Sequence, residues 1–349
     1  MDYTRDICVL TQEDLIQAGC FDIGAAIDAC EEVLLQYAQD TVIFPEKVAV
    51  VFDQATQNRI NCLPAGLRKD QIYGMKWVSV FPGNPKQYGV PNLSAVLLLS
   101  ELQTGYPVAF MEGTMCSNLR TAATSAVAAK YLAQPEAETI GFIGAGEQAK
   151  SHFLSLMHVL PNVKTCKVAS RTKQSERVFI EQLSRFYPDV RFVACDGVYE
   201  TAARDSQVIV TAISGQETLL RAEWIAEGAL YLHVGGLEDE YRVAQKADKI
   251  VCDDWSVVKH RTQTISRMYT DGLLADEDIY ADLYQIVSGQ KPGRENEKEF
   301  IYFNTVGLSY VDVMLANRMY QKAKAKGIGT YITMQKNSMF DVDAASVVL

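Results

Sequence analysis

The sequence has few of the residues that build metal centres, disulfide frameworks or membrane spans. Its 349 residues include only four histidines, which are too far apart for a local metal motif, and eight cysteines without a CxxC pair. No segment approaches the ~18 uninterrupted apolar residues of a membrane helix, and the first residues lack the basic and apolar regions of a signal peptide. These absences predict a cytoplasmic protein with reduced thiols and no bound metal ion.

Positive charge is also scarce. Lysine and arginine number 33 against 43 aspartates and glutamates, which gives a net charge of −10. A protein that binds phosphate backbones or anionic membranes normally presents a basic face, so neither nucleic acid nor a membrane is an expected partner. A local cluster of cations can still bind a small anion, and the expected partner is therefore a small molecule.

The chain is long enough for two domains, since a domain takes ~100–200 residues and 48% of this sequence is hydrophobic. The first 40 residues have the apolar spacing of helices, whereas residues 47–112 contain five apolar segments separated by turn residues, which predicts a largely antiparallel or mixed sheet. From Thr139 onwards short apolar segments alternate with helical ones, which is typical of a doubly wound parallel sheet. We therefore predict an α/β protein with a Rossmann-type domain over residues 126–309 and a discontinuous mixed α+β domain over 1–125 and 310–349.

A glycine-rich motif opens the predicted parallel sheet. The segment IGFIGAGEQA places Gly144, Gly146 and Ala149 in G-x-G-x-x-A spacing between an apolar strand and a helix. The first glycine allows a tight turn, the second lets a pyrophosphate approach the backbone, and the small third residue lets the helix pack on the strand. The motif predicts a dinucleotide site whose phosphates lie at the helix N-terminus, beside Glu147 and Gln148. The alternative is a tight turn with no ligand.

The end of the second parallel strand distinguishes between the two nicotinamide dinucleotides. NAD enzymes usually carry Asp or Glu there, which accepts hydrogen bonds from the ribose 2′-hydroxyl. Here the strand ends in KVASRTKQ, with Ser170, Arg171 and Thr172 and no carboxylate. A guanidinium beside two hydroxyls favours a 2′-phosphate, so we predict a preference for NADP(H). NAD(H) is the alternative if these residues are merely solvated and the selectivity is loose.

Two basic residues lie in apolar segments of the sequence. Lys76 stands in YGMKWVSV, and Arg120 lies near the start of SNLRTAATSA. Each is either a cation whose stem packs on apolar surface while its charge reaches water, or a group that binds an anion.

Together these motifs resemble those of the ornithine cyclodeaminase/μ-crystallin family. The resemblance runs from about Phe44 to Gly329 and rests on GMKWVSVFPGNP, on GVPNLSAVLLLSELQTGYPVAFMEGTMCSNLRTAATSA and on IGFIGAGEQA. It implies a Rossmann domain and a substrate domain that forms a homodimer through its sheet. It also implies an NAD(P)(H)-dependent oxidoreductase that transfers hydride at the C–N bond of a small amino acid, imine or ketimine. The segment DDWSVVKHRTQTISRMYTDGLL is similar to a branch of the family known as the second subunit of a tyramine oxidase.

By motif position the resemblance implies which residues contact the substrate and the cofactor. Lys76 and Arg120 match residues that hold the substrate carboxylate, and Lys76 is also a candidate for proton transfer. Lys47 stands where many members have Arg, and Asn92 stands where the cyclodeaminases have Thr. A carboxylate held by an ammonium and a guanidinium has a fixed orientation, which presents its reacting carbon to the nicotinamide. Positions that match turns lining the dinucleotide are Thr121, Thr211, Ser214, Val234, Gly235 and Asn304.

The loop after ALYLHVGG departs from the cyclodeaminases. Those enzymes have an Asp that assists loss of ammonia, whereas this loop reads GGLEDEYRV, with Leu237 at about that position. Glu238 and Asp239 beside it are candidate catalytic acids; the alternative is that they are solvated loop residues. His233, which ends the preceding segment, is a further acid–base candidate. Cyclisation of ornithine to proline with loss of ammonia is therefore the second hypothesis, and a non-catalytic dinucleotide-binding protein or accessory subunit is the third.

A basic triplet, Lys259, His260 and Arg261, interrupts an otherwise acidic chain. It is either the C-terminal turn of a helix, where cations meet the helix dipole, or a specificity loop near the open end of the cofactor. The residues alone leave both interpretations open.

Overall fold

The computed structural model describes residues 4–53 and 55–341, so the end of the C-terminal tail, 342–349, lies outside the described residues. Contacts between residues divide the chain into two compact units. The first unit comprises the residues up to Asp22, Thr41–Ser117 and the residues from Asp312 onwards. The second unit comprises Ile23–Asp40 and Asn118–Val311.

Strands and helices alternate along most of the described chain. The strands are β1 (Arg5–Leu10), β2 (Val42–Ile43), β3 (Val48–Asp53), β4 (Asn58–Leu67), β5 (Ile72–Val80), β6 (Leu93–Glu101), β7 (Pro107–Glu112), β8 (Thr139–Ile143), β9 (Thr165–Ala169), β10 (Arg191–Ala194), β11 (Val208–Thr211), β12 (Leu230–His233), β13 (Lys249–Cys252), β14 (Ala281–Asp282), β15 (Ile301–Asn304) and β16 (Thr330–Gln335). The α-helices are α1 (Gln12–Gln17), α2 (Ile23–Ala38), α3 (Asn84–Gln87), α4 (Thr114–Leu132), α5 (Glu147–Val159), α6 (Lys173–Ser184), α7 (Tyr199–Ala203), α8 (Tyr241–Lys246), α9 (Trp255–Val258), α10 (Thr264–Thr270), α11 (Leu283–Val287) and α12 (Ser309–Ala325). Among the described residues, no helix has the length and apolar content needed to cross a bilayer.

The first unit is built around a mixed sheet. Its strands follow the order β16-β1-β7-β6-β5-β4-β2, with β3 also paired to β4, and only β1 and β7 run parallel. The five segments predicted between residues 47 and 112 form β3 to β7, so the predicted mixed sheet is confirmed. The prediction that the first 40 residues are all helical is wrong at β1, because this segment pairs with β7 and β16, which lie far away in the chain.

The second unit contains an eight-stranded sheet whose pairings are all parallel. Its order is β10-β9-β8-β11-β12-β15-β13-β14. Strands β11, β12, β13 and β15 are buried at every position, as expected of parallel strands covered on both faces. The predicted doubly wound sheet is confirmed, with β15 as a strand that the sequence analysis did not identify. The order reverses between β8 and β11, and such sheets bind ligands at the carboxyl ends of the strands at that point.

Helix α2 belongs to the second unit, where it packs on α5 and α11. The domain boundaries predicted from the sequence place this helix with the first sheet. The predicted boundaries and the two units therefore differ at α2. Because the units are defined only by contacts between residues, the domain boundaries stay a prediction.

Candidate functional site

The turn between β8 and α5 carries the glycine motif. Gly144 has a φ of +113°, which L side chains rarely adopt, and a Cβ on it would lie 2.4 Å from the carbonyl oxygen of Ala212. A Cβ on Gly146, by contrast, would meet no atom of the described residues within 4 Å. The turn is therefore tightly packed at Gly144 and open at Gly146, which fits the approach of a pyrophosphate to the backbone.

Helix α5 begins at this opening. Within the described ranges no side chain caps its N-terminus at Gly146, so its first N–H groups and its dipole can meet an anion. Glu147 is exposed, whereas Gln148 donates from Nε2 to Oδ1 of Asn118 at 2.8 Å. Ala149 is fully buried, as close packing of the helix on the strand requires. These features fit the phosphates of a dinucleotide.

The loop after β9 is held by a buried carboxylate that the sequence analysis missed. Glu176, in α6, is fully buried and accepts hydrogen bonds from the N–H groups of Ser170, Asp196 and Gly197, each at 2.8 Å. Both of its oxygens therefore bind backbone. The guanidinium-bearing Arg171 is exposed on the loop that Glu176 orders. A carboxylate in the first turns of a helix usually faces solvent, so its position in the sequence carried no signal.

A second buried carboxylate joins the loops after β11 and β12. Glu238 accepts hydrogen bonds from Oγ1 of Thr211 at 2.6 Å and from the N–H groups of Ile213 and Gly235 at 2.6 and 2.8 Å. Its side chain is fully buried, and a Cβ on Gly235 would lie 2.3 Å from its Oε1. Glu238 and Asp239 are both buried, so the alternative that they are solvated loop residues is wrong. Glu238 orders two loops at the carboxyl edge of the sheet.

His233 lies at the centre of a polar network at the end of β12. Its Nδ1 is 2.7 Å from Oδ1 of Asn304, and its Nε2 is 2.7 Å from the carbonyl oxygen of Gly236. Nδ2 of Asn304 donates to Oε1 of Gln263 at 3.0 Å, and Nε2 of Gln263 in turn faces two backbone carbonyl groups. This chain orients the amide of Asn304 with its oxygen towards the ring. The hydroxyl of Tyr302 also lies 3.0 Å from Nδ1, so both ring nitrogens of His233 have hydrogen-bond partners inside the protein.

Two carboxylates lie beside that ring. Oε2 of Glu238 lies 3.3 Å and Oδ1 of Asp239 lies 3.8 Å from Nε2 of His233. Asp239 also accepts hydrogen bonds from Oγ1 of Thr264 at 2.6 Å and from the hydroxyl of Tyr302 at 3.3 Å. Burial raises the pKa of Asp239 to about 6, because the loss of solvation outweighs the charge of His233 and these hydrogen bonds.

Arg120, in α4, packs against the turn that precedes α12. It is 8% exposed, and a Cβ on Gly307, where φ is +86°, would lie 2.0 Å from its Nη1, so only glycine allows this approach. The turn is held by Asp253, whose Oδ2 accepts from Oγ1 of Thr305 and from the N–H groups of Val306 and Gly307 at 2.7–2.8 Å. Asp253 thereby positions the backbone on which the guanidinium rests.

In the first unit Lys76 is a buried cation with a buried partner. Its Nζ lies 2.7 Å from Oδ1 of Asp312 and 3.3 Å from Oγ of Ser117, and the exposed fractions of the Lys76 and Asp312 side chains are 1% and 0%. The charge of Lys76 is therefore compensated within the protein. Sequence analysis missed Asp312, for which the available signal was a single carboxylate in the otherwise apolar helix segment SYVDVMLA.

The remaining predicted residues lie at turns and strand ends. Lys47 and Asn92 are partly buried, ahead of β3 and β6 respectively. The hydroxyl of Thr211 binds Glu238 and Tyr231 and faces the interior. Partly or fully buried positions in or beside the turns of the second unit are held by Thr121, Ser170, Val234 and Gly235. Ser214, after β11, and Thr172, at the start of α6, are exposed. The second unit thus joins Thr211, Gly235, Glu238, Asp239 and Asn304 in one network.

Three known proteins show what the chain is similar to. It is 28% identical over 334 residues to the N-((2S)-2-amino-2-carboxyethyl)-L-glutamate dehydrogenase of Staphylococcus aureus, covering 95% of this chain and 99% of that one. The structure of Thermococcus litoralis Δ1-pyrroline-2-carboxylate reductase, in complex with NADH and L-proline, is 28% identical with a TM-score of 0.88, over 93% of this chain and 99% of that one. An archaeal alanine dehydrogenase dimer with bound NAD is 30% identical with a TM-score of 0.87, over 95% and 100% of the two chains.

These similarities agree with the sequence analysis at the level of the enzyme class. The relatives are dehydrogenases and reductases of amino acids or of cyclic imines. The expected enzyme class, an NAD(P)-dependent oxidoreductase acting at C–N groups, is therefore confirmed. A model of the ornithine cyclodeaminase/mu-crystallin family matches residues 7–327, which contain both sheets except for strand β16 and the first two residues of strand β1. The chain therefore belongs to the ornithine cyclodeaminase/mu-crystallin family.

Proposed function

We propose that the protein is an NAD(P)(H)-dependent oxidoreductase that acts on the C–N bond of a small amino acid or of the corresponding imine or ketimine. The observation that carries the proposal is the open approach at Gly146 beside the uncapped N-terminus of α5, in a parallel sheet of dinucleotide-binding order. The relatives, which are named as amino-acid dehydrogenases and imine reductases, support the reaction class.

The dinucleotide would be held by backbone more than by side chains. The turn from Gly144 to Ala149 would take the phosphates, and the loop from Ser170 to Thr172 would take the adenosine ribose. When bound, the nicotinamide supplies or accepts the hydride. The network of Glu238 and His233 holds the loops around Gly235, and we assign these two residues to positioning. The direct catalytic role predicted for Glu238 and Asp239 requires a carboxylate that reaches substrate, and their burial favours positioning instead.

The substrate would be held by its carboxylate. We propose Lys76 and Arg120 for this contact, with Lys47 and Asn92 as further polar contacts. Asp312 orients the ammonium of Lys76, which can direct one N–H towards an anion while it donates to Asp312. Hydride transfer alone is favoured over cyclisation with loss of ammonia. Leu237 stands at the Asp position of the cyclodeaminases, and the neighbouring carboxylates are hydrogen-bonded to protein groups.

We further propose a preference for NADP(H), although the two solved relatives contain NADH and NAD. The support is the exposed guanidinium of Arg171 on a loop whose only buried carboxylate in the described part, Glu176, is occupied by backbone N–H groups. Arg171→Ala should raise the KM for NADPH ~10-fold or more and leave that for NADH nearly unchanged. The exposed Arg177→Ala in the next helix is the matched control. Equal effects of Arg171→Ala on both cofactors would contradict the preference.

The reaction is tested by following NADPH and NADH oxidation at 340 nm against cyclic ketimines and against 2-oxo acids with amines. L-Ornithine with NAD⁺ is assayed alongside for ammonia. We expect turnover that falls by roughly 10²-fold in Lys76→Ala and Arg120→Ala, since each removes a charged hydrogen bond to the carboxylate. The exposed Lys336→Ala should leave it unchanged. Cofactor binding without any turnover would replace the proposal by the non-catalytic alternative.

The protein is also proposed to be a homodimer formed through its first sheet. In the described structure, strand β3 is exposed along its whole length, with Val48, Val50 and Phe52 at 62%, 51% and 59% exposure. An apolar strand at the edge of a sheet is normally covered. Light scattering on the protein as it elutes from a size-exclusion column should give the mass of two chains. Val50→Glu should shift the measured mass towards that of one chain.

A further inference from the structure

The segment from Lys259 to Gln263 connects α9 to α10 at the carboxyl edge of the parallel sheet. Nε2 of Gln263 donates to the carbonyl oxygens of Gly235 and Thr305 at 2.8 and 3.0 Å. These two residues lie in the loops that follow β12 and β15. The segment is thereby attached to the edge at which doubly wound sheets bind their ligands.

The three basic residues of this segment differ in their surroundings. Nζ of Lys259 lies 3.2 Å from Oδ1 of Asp276, and His260 is exposed. Arg261 is partly buried, and its Nε is shielded from solvent without a hydrogen-bond partner in residues 4–53 and 55–341. In the same ranges no carboxylate lies within ion-pair distance of it. Burial alone lowers the pKa of Arg261 to about 10, and no neighbouring charge opposes that effect.

A partly buried guanidinium without a neighbouring carboxylate favours the binding of an anion. A desolvated charge without a counterion is unfavourable, and a guanidinium is best satisfied by the two oxygens of a carboxylate or phosphate. The cofactor phosphates are assigned to the glycine turn after β8. Strand β13, which leads into α9, is four strand spacings of about 4.8 Å from β8, or roughly 19 Å. This separation favours an anion of the substrate over the cofactor phosphates as the partner of Arg261.

We propose that Arg261 binds a second carboxylate of the substrate, so that the preferred substrates are dicarboxylic amino acids or their imines. The inference rests on the proposed function and names its substrate class. It also explains the basic triplet: Lys259 fixes the segment through Asp276, and Arg261 presents its charge to the ligand. The segment is then a specificity loop, in agreement with the second of the two interpretations open from the sequence.

The test measures binding in a complex that cannot react. The protein is saturated with NADH, or NADPH if that binds more tightly, and titrated calorimetrically with L-glutamate, L-glutamine, L-aspartate and L-asparagine. Cofactor and amino acid are both in the reduced state, so no turnover interferes, and each acid differs from its amide chiefly in charge. We expect whichever of L-glutamate and L-aspartate binds more tightly to exceed the affinity of its own amide at least ~10-fold, since only the acid forms a charged pair with Arg261.

Variants at position 261 then assign the difference. In Arg261→Gln the acid-to-amide ratio should fall to about one, with the affinities for the amide and the cofactor unchanged, and Arg261→Lys should retain part of the ratio. Arg242→Gln, an exposed arginine in α8, is the matched control and should retain all of it. The melting temperature of ligand-free Arg261→Gln should not fall, whereas a purely structural arginine would lower it.

The outcomes separate the two proposals. Equal binding of acids and amides by the wild type, or a ratio that persists in Arg261→Gln, would overturn the second-carboxylate site and leave the oxidoreductase assignment intact. Cofactor binding with no amino-acid binding of either kind, and no turnover in the 340 nm assay, would overturn the oxidoreductase assignment and this inference with it.

Discussion

Nδ1 of His233 and Oδ1 of Asn304 lie 2.7 Å apart at the ends of the adjacent strands β12 and β15. Both residues are fully buried. The pair connects the loop that carries Gly235 to the turn before α12, because the carbonyl oxygen of Gly236 accepts from the other ring nitrogen. The relative position of two loops at the ligand edge of the sheet therefore depends on one imidazole and one amide.

Asn304→Ala should lower the free energy of unfolding by about 2–4 kcal/mol. The substitution leaves Nδ1 of His233 without its closest hydrogen-bond partner and removes the donor to Gln263, and unsatisfied buried polar groups are costly. Urea unfolding measures the effect. Asn337→Ala, at an exposed amide, should change it by less than about 0.5 kcal/mol. An equally small loss in Asn304→Ala would contradict the proposed network.

Breaking the pair between Lys76 and Asp312 should destabilise the protein by about 3–5 kcal/mol, since either single substitution leaves a buried charge alone. Lys76→Met with Asp312→Leu in one chain should be less destabilising than Lys76→Met alone, because no uncompensated charge remains. Activity should be lost in both. Lys298→Met is the control: it removes a pair that is 3.4 Å long and 84% and 66% exposed, and should change stability by no more than about 1 kcal/mol. Additive effects in the double variant would argue against a pair.

Gly146→Val should fold normally and fail to bind the dinucleotide. A side chain at Gly146 meets no described atom within 4 Å and the backbone φ of −82° accepts it, so the melting temperature should stay within about 2 °C of wild type. The same side chain would occupy the space of the pyrophosphate and weaken NADH binding at least ~30-fold. Gly144→Val should instead prevent folding, because its Cβ would overlap the carbonyl oxygen of Ala212. Unchanged NADH affinity in Gly146→Val would remove the basis of the cofactor assignment.

Asp282→Asn should stabilise the protein more at pH 8 than at pH 5. Burial, helped by the negative charges of Asp254 and Asp253, raises the pKa of Asp282 to about 7, although a hydrogen bond from the N–H of Trp255 opposes the shift. The folded state then binds the proton more tightly than the unfolded state, so the group destabilises the fold progressively as pH rises from about 4 to 7, and fully above that.

The amide removes this penalty and keeps an oxygen for the N–H of Trp255, which lies 2.7 Å from Oδ1. Unfolding in urea at the two pH values should show a gain that is about 1–3 kcal/mol larger at pH 8. The exposed Asp341→Asn should show no such difference. A gain that is the same at both values would mean that Asp282 is ionised throughout this range.

Most strands of both sheets and the glycine turn follow from local sequence patterns. Alternating or continuous apolar segments identify β3 to β13, and the spacing of Gly144 and Gly146 identifies the phosphate turn, because each of these signals lies within about ten neighbouring residues. Strand β1 and its partner β16 were missed for the opposite reason. Their hydrogen bonds join the two ends of the chain, and no local pattern encodes that pairing.

For the candidate site too, the sequence shows part of the chemistry and the tertiary structure decides the rest. The residue types at Lys76, Arg120 and Arg171 are visible in the sequence, and so is the family that they indicate. Which charges are compensated is decided only by tertiary contacts: Asp312 neutralises Lys76 across 236 residues, whereas Arg261, two residues from the paired Lys259, has no carboxylate near it in the described structure. Electrostatic compensation depends on distance and burial in space, and those quantities are set when remote segments pack together.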